Sequence, residues 1–388
     1  MHAGPRLEEV VAIALRQSPD ILTARLRADS AHGEQLIARA IPNPVVNSAP
    51  NQPWQYTVTL PLDVTPQRFL RTRAARGGVG AALADAEDVV REITFAVRQA
   101  FYDILLAEQQ RDLADQKREI FRQLLHADSV RLRSGDVPES DVTKAELEYA
   151  RAAADLLRAD AQVHTARLAL QLLMGVTTPD TAFAVTGDLA YRPVTIAVDS
   201  LSALAASLRP DVRAAQERVT QSEALNKLAA RLWIPVPEVT LSHEHGGSFA
   251  HGDLFTNGTA NAIGFGFTLP FLSWNGGERE RSRAGLEQAE VATRRVQAQV
   301  ATDVATALDA YRSARGLSER YDGGLLAKAD SVLETARYAY RTGAASLLDL
   351  LEAIRTYADT RADYNTAVHD YWVSVYALDR AVGRDIVP

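Results

Sequence analysis

The apolar positions of this chain follow two periods, and both halves of the sequence use them in the same order. From Leu350 the positions Ile354, Tyr357, Arg361, Tyr364, Val368, Tyr371, Val375, Leu378 and Val382 advance in alternating steps of four and three, and only Arg361 is not apolar. Ala86, Val90, Ile93, Val97, Ala100, Ile104 and Ala107 make a similar run. A spacing of about 3.5 residues predicts long helices wrapped against neighbours in a shallow supercoil. Thr72–Arg133 and Glu278–Arg341 contain no proline, and a helix of roughly 60 residues extends about 90 Å, more than a compact domain needs. Alanine runs such as Ala152-Ala153-Ala154 supply a second close-packing face, which suits a closed ring of helices. The other period is two. Tyr56, Val58 and Leu60 alternate with Gln55, Thr57 and Thr59, and Ile263, Phe265, Phe267 and Leu269 alternate with Ala262, Gly264, Gly266 and Thr268, which predicts strands.

Aligning the sequence with itself explains the shared order. Arg133-Ser134-Gly135 recurs as Arg341-Thr342-Gly343, an offset of 208 that also relates Asp141 to Asp349, Ala145 to Ala353, Tyr149 to Tyr357 and Gly175 to Gly383. Leu60-Pro61-Leu62 matches Leu269-Pro270-Phe271 at offset 209, and Pro19-Asp20 matches Pro210-Asp211 at offset 191. An ordered series of this kind indicates an internal duplication, with residues 1–190 as the first repeat and 191–388 as the second. Each repeat has a short helix (Leu7–Gln17, Asp199–Leu208) and a second helix opened by Pro19 or Pro210, a residue suited to the first helical turn. That helix ends near Pro42/Pro44 or Pro235/Pro237, and a β-hairpin follows at about 44–62 or 237–270. A long helical hairpin then runs over about 72–175 or 278–383, reversing at Gly135/Pro138 or Gly343 and ending at Gly175 or Gly383. The first hairpin is short: about six residues precede Pro50 and Pro53, where a spanning strand takes roughly 9–11.

Charge and composition narrow the function. A net charge of −7 argues against a nucleic-acid partner. The chain has no cysteine, so disulfides and thiol chemistry are excluded. Met1–Pro5 runs directly into an acidic amphipathic segment without a visible signal peptide. The longest charge-free window, Leu254–Gly277, carries five glycines, three asparagines and Pro270, so it reads as strand and turn and any membrane crossing is made by β-strands. Trp54, Phe249, Phe255 and Trp274 are candidate membrane-interface anchors, while Trp233 suits either an anchor or packing within a helical collar. His243, His245 and His251 form the one histidine cluster; on a strand the first two would share a face able to bind zinc or copper, but a solvated extracellular loop is the preferred reading. Phosphate-loop, HExxH and GxSxG motifs are all missing, so neither an enzyme nor a cofactor is expected.

The segment Tyr340-Arg341-Thr342-Gly343-Ala344-Ala345-Ser346-Leu347-Leu348-Asp349-Leu350-Leu351-Glu352-Ala353, its counterpart Arg133–Asp141, and the duplicated plan resemble the TolC family of outer-membrane factors. The resemblance runs from Leu7 to Gly383, and Leu350–Gly383 is similar to the heavy-metal and cation branch. It implies a mainly α protein with a small β part: a homotrimer in which four strands per protomer build a shared transmembrane β-barrel, above a long α-helical barrel in the periplasm with a mixed collar around it. Two hairpins alone would leave open edges in lipid, and pooling strands from several chains removes them.

The implied function is the passive outer-membrane duct of a tripartite efflux system, served by a periplasmic adaptor (membrane fusion) protein and an RND-type or ABC-type inner-membrane pump. A duct for type I protein secretion is one alternative. A soluble coiled-coil scaffold is another, but it leaves the apolar alternation of Ile263–Leu269 without a partner. The resemblance puts an acidic ring at the periplasmic aperture on Asp349 and Glu352, one helical turn apart. It assigns closing contacts to Asp141 and Tyr340, with the family's basic partner falling on Ala345. Arg133, Ser134, Gly135, Arg341, Thr342 and Gly343 would meet the adaptor, although helix capping alone also accounts for the glycines.

Overall fold

The computed structural model describes residues 4–50, 54–194, 196, 201–245, 259–268 and 274–386. Its elements are α1 (Leu7–Gln17), α2 (Pro19–Arg39), β1 (Val45–Ala49), β2 (Trp54–Pro61), α3 (Pro66–Arg133), α4 (Glu139–Leu173), α5 (Leu201–Leu208), α6 (Pro210–Ala229), β3 (Pro237–His245), β4 (Thr259–Phe267), α7 (Gly276–Arg320), α8 (Leu326–Arg341) and α9 (Leu347–Val382). The chain forms two compact units: Met1–Thr23, Asp88–Arg209 and Gln299–Pro388 make the first, Ala24–Glu87 and Pro210–Ala298 the second. Each unit therefore draws on both halves of the sequence.

In the first unit the heptad positions face inward as their spacing requires. Leu350, Ile354, Val368, Tyr371, Val375, Leu378 and Val382 of α9 are buried, as are Val97, Ala100, Ile104 and Ala107 of α3. One apolar cluster joins Val10, Val11 and Ala14 of α1 to Val97–Leu105 of α3 and to Leu170 and Met174 at the end of α4. There Trp372 and Tyr376 pack on Tyr102, each with ring centroids 5.7 Å away. The Tyr371 hydroxyl accepts from Val194 N (2.9 Å) and donates to Arg192 O (3.0 Å), and the Tyr311 hydroxyl donates to Val194 O (2.6 Å). These bonds tie the segment joining the two halves of the sequence to the helices, and they satisfy backbone groups that burial would otherwise strand.

The second half departs from the expected uninterrupted helix over Glu278–Arg341. α7 stops at Arg320, a single π-helical turn spans Tyr321–Leu325, and α8 starts afresh at Leu326. Gly324 sits at φ 120°, a conformation that side chains resist and glycine adopts freely. The positions 208 residues earlier than Gly323-Gly324 are Asp115 and Gln116, and there α3 stays helical for 68 residues. One glycine pair decides where the wide turn falls.

The second unit holds α6, both hairpins, most of α2 and the hairpin-side ends of α3 and α7. Small residues let the helices close up. A Cβ added at Gly77 would lie 2.9 Å from Gln221 N of α6, so the backbones of α3 and α6 meet at a distance only glycine allows. Arg213 pairs with Glu87, and Arg218 with Asp85 at 2.5 Å, along the same contact. Gln67 Nε2 closes the end of α6, donating to Arg231 O (2.9 Å) and Ile234 O (2.6 Å).

Candidate functional site: a two-faced sheet and the helical tips

The hairpins join in one antiparallel sheet in the order β1-β2-β3-β4. Its register sorts the side chains by face. Val46, Val58, Leu241 and Ile263 form one row across the sheet, and Leu60, Val239 and Phe265 form the next on the same face. The opposite face carries the rows Asn47, Thr57, Ser242, Ala262 and Val45, Thr59, Thr240, Gly264, then Ala49, Gln55, Glu244, Ala260. One face is thus apolar and the other largely polar or small, although both are open in the protomer: Phe265 is 82% exposed, Ile263 68% and Val46 66%. An apolar face this open calls for lipid or a protein partner. Among the described residues β1 and β4 are edges with no strand beside them. β3 and β4 have nine residues each, β2 eight and β1 five, so the first hairpin is indeed the short one.

Aromatic residues mark both ends of the apolar face. Trp54 and Tyr56 lie opposite His245 and His243 at the end away from the helices, 46% and 42% exposed. At the helix end stand Trp233, just before β3, and Trp274, just before α7, 58% and 71% exposed. Trp233 is open in the protomer, as either an interface anchor or a collar contact between protomers would require. The loop reading is corrected for His243 and His245, which belong to strand β3 because its register with β2 and β4 extends through residue 245. His243 Nδ1 lies 2.7 Å from Asn261 Oδ1, and no cluster of three metal-ligating groups occurs among the described residues. Phe249, Phe255 and His251 lie outside the described residues.

The tips are built in the first unit from two helical reversals of the same design. After α3, Asp136 N donates to Arg131 O (2.9 Å) and Gly135 N to Leu132 O (3.0 Å); after α8, Ala344 N donates to Ala339 O (2.8 Å) and Gly343 N to Tyr340 O (3.1 Å). Gly135 and Gly343 have φ of 80° and 75°, which is why glycine stands at both. Arg133, Ser134, Arg341 and Thr342 are exposed around these turns. Beneath them Phe121 and Leu124 of α3, Ala145 and Ala152 of α4, Leu333 of α8 and Leu347, Leu350, Leu351 and Ile354 of α9 form a second apolar cluster. A groove of about 380 Å³ beside it is lined by Arg131, Glu334, Arg337, Tyr340 and Arg341.

Asp349 and Glu352 are both exposed on α9. Ser346 Oγ and N donate to Asp349 Oδ2 (2.7 and 2.9 Å) as the cap of α9, and these bonds hold the Asp349 carboxyl below the usual aspartate range. Tyr340 is buried, and its hydroxyl donates to Asp128 Oδ1 at 2.8 Å. Asp141, half-buried at the start of α4, pairs with Lys144 at 3.3 Å. Where Ala345 supplies no base, the Arg131 guanidinium stacks over the Tyr340 ring, 5.4 Å from its centroid. Asp128 is fully buried, and its Oδ2 has no hydrogen-bond partner. Desolvation raises its pKa above the ordinary aspartate value, against the Tyr340 hydrogen bond and the Arg131 charge. Sequence reading missed Asp128 and Arg131, although the steps Phe121, Leu124, Asp128, Arg131 place both on an apolar seam where a charge is conspicuous.

Comparison with known proteins agrees with this geometry. The family described as outer membrane efflux protein matches residues 10–176 and 201–384. The cobalt-zinc-cadmium resistance protein CzcC of Cupriavidus metallidurans is 26% identical over 98% of this chain and 91% of that protein. The outer membrane channel CmeC of Campylobacter jejuni superposes with a TM-score of 0.83 at 18% identity, covering 97% of this chain and 85% of that one. The open state of the MtrE outer membrane channel of Neisseria gonorrhoeae gives 0.80 at 22% identity, covering 99% and 90%. Both structures share the mainly helical fold with its small sheet. The chain belongs to the outer membrane efflux protein family, the TolC-type channels, which are not enzymes.

Proposed function

We propose that this chain is one protomer of a homotrimeric outer-membrane duct that passively conducts substrate handed over by a periplasmic adaptor and an inner-membrane pump. The observation that carries the reading is the sheet: four strands, one apolar face, one polar face and two open edges. A sheet with open edges is not viable in lipid, whereas strands pooled from three copies close into a barrel with the apolar face outward and the polar face toward the lumen. The duplicated plan (1–190 and 191–388) then supplies two hairpins and two helical pairs per protomer, and the helices form the periplasmic tunnel. Likeness to the cobalt-zinc-cadmium resistance protein CzcC over nearly the whole chain supports metal cations as cargo.

Asp349 and Glu352, three copies of each around the axis, would ring the periplasmic aperture, and such a ring attracts cations and repels itself toward opening. The turns at Gly135 and Gly343, with the groove bearing Arg131, Arg337 and Arg341, would seat the adaptor. Planar-bilayer recording tests both levels of the proposal. The reconstituted protein should conduct with cation preference, and Asp349→Asn with Glu352→Gln should abolish that preference. Unchanged selectivity in the variant would remove the ring, and recovery of the protein in the soluble fraction without detergent would overturn the duct.

A further inference from the structure

The second unit carries a cluster of positive charge that a passive conduit does not require. Where α2 ends and α3 begins, a cavity of about 640 Å³ is lined by Arg39, Arg68, Arg73 and Arg76, with Phe69 and a single carboxylate, Glu217. Arg68 is engaged, donating through Nε and Nη2 to Arg39 O (3.2 and 2.7 Å). The guanidiniums of Arg39, Arg73 and Arg76 make no ion pair or hydrogen bond among the described residues. Three unpaired guanidiniums around one cavity repel one another and present forked donors in a geometry that matches phosphate oxygens.

The location selects the source of that phosphate. Arg39 lies six residues before β1 and Arg68 seven after β2, so the cavity is at the helix end of the first hairpin. Phe69 of its lining is 71% exposed, and close in sequence to its arginines Ile37 is 75% exposed, Val64 73% and Ile41 58%. The equivalent place on the second hairpin repeats the pattern. There a cavity of about 530 Å³ is lined by Lys227, Arg231, Arg279 and Arg283 with Glu280, and Trp233 and Trp274 are the exposed aromatics next to it in sequence. Cations interleaved with exposed aromatic and aliphatic side chains, at one end of each hairpin, are the chemistry of a lipid headgroup layer.

We propose that the arginine cavity at the foot of the first hairpin binds the phosphate of an anionic phospholipid in the periplasmic leaflet, and that the second hairpin offers a weaker copy. The inference rests on the outer-membrane reading above. Bound headgroups would hold the protomer at a fixed depth where its short first hairpin gives the least grip.

Calorimetric titration of the detergent-purified full chain tests it with three probes: dihexanoyl phosphatidylglycerol, dihexanoyl phosphatidylcholine and sodium phosphate. Phosphatidylglycerol should bind in preference to phosphatidylcholine and weaken as salt screens the charges. The triple variant Arg39→Gln, Arg73→Gln, Arg76→Gln should bind it about tenfold more weakly or worse. The matching lysine variant, which keeps the charge but loses the fork, should bind between wild type and the glutamine variant, and the paired change Arg294→Gln, Arg312→Gln, outside both cavities, should leave the affinity unchanged. Equal binding by wild type and the glutamine variant, or none by wild type, overturns the site. Binding of sodium phosphate as tight as the lipid overturns the lipid assignment. Bilayer conductance of the same preparations keeps the two proposals apart: a conducting channel indifferent to phosphatidylglycerol loses the lipid site alone, and a lipid-binding protein that does not conduct loses the duct.

Discussion

Replacing Tyr340 with phenylalanine deletes one hydroxyl and leaves the packing of the tip otherwise intact. Among the described residues that hydroxyl is the sole hydrogen-bond partner of the Asp128 carboxyl, whose other oxygen is already bare and whose side chain is fully buried. A hydrogen bond to a charged group contributes about 1.5–3 kcal/mol, and stranding a buried acceptor forfeits an amount of that order. Since about 1.4 kcal/mol is a factor of ten, amide exchange in the last turn of α8 should quicken roughly 10- to 150-fold. Hydrogen-exchange mass spectrometry, under conditions where exchange reports the opening equilibrium, reads this directly. The same change in an Asp128→Leu background should be nearly silent, because the partner is gone. Equal acceleration in both backgrounds, or none in either, would refute the reasoning. The pH dependence has a definite sign. An acid whose folded pKa is raised favours the neutral form in the fold, so the stability it contributes is fully present below the ordinary aspartate value and is lost as pH rises through the raised one. Protection at the tip should fall as pH climbs through that window, and Asp128→Asn should flatten the profile.

His369 on α9 bridges two carboxylates, Nε2 to Asp103 of α3 at 2.8 Å and Nδ1 to Asp370 at 2.9 Å. Burial opposes its charge, but the two hydrogen bonds outweigh it and lift the pKa above the ordinary histidine value. Its contribution is therefore complete below that value and lost as pH rises through the raised pKa, so the Tm of the wild type should fall across that window while the profile of His369→Gln stays flat there; parallel profiles would count against it. On the sheet, Ile263→Arg, at the middle of β4, should cost about 2–4 kcal/mol in the free energy of folding into vesicles measured by urea titration, whereas Ser242→Arg, on the opposite face beside Ala262, should cost much less. Equal penalties would mean that the apolar face does not meet lipid.

The sequence by itself determined the elements and their order. Heptad spacing marked α3 and α9, alternation marked β2 and β4, and glycine marked both tip reversals, because each of these signals is local and repeats along the chain. The internal match at offset 208 carried the plan of one half to the other, and the tip pattern carried the family. Tertiary structure alone decided what depends on neighbours distant in sequence. Only the register across four strands showed that Val46, Val58, Leu241 and Ile263 share a face, since alternation within one strand does not say which residues lie opposite in the next. Only packing turned Tyr340 inward onto Asp128, a residue 212 positions away. The break at Gly324 was half legible: the glycine pair was visible, but nothing local distinguishes a tolerated helical glycine from one released to φ 120°. The arginines of α3 were legible as charges, but becoming a cavity required the end of α2 and the flank of α6 to close around them. A chain records its local preferences in adjacent letters, while which unpaired charges end up together is settled by the fold.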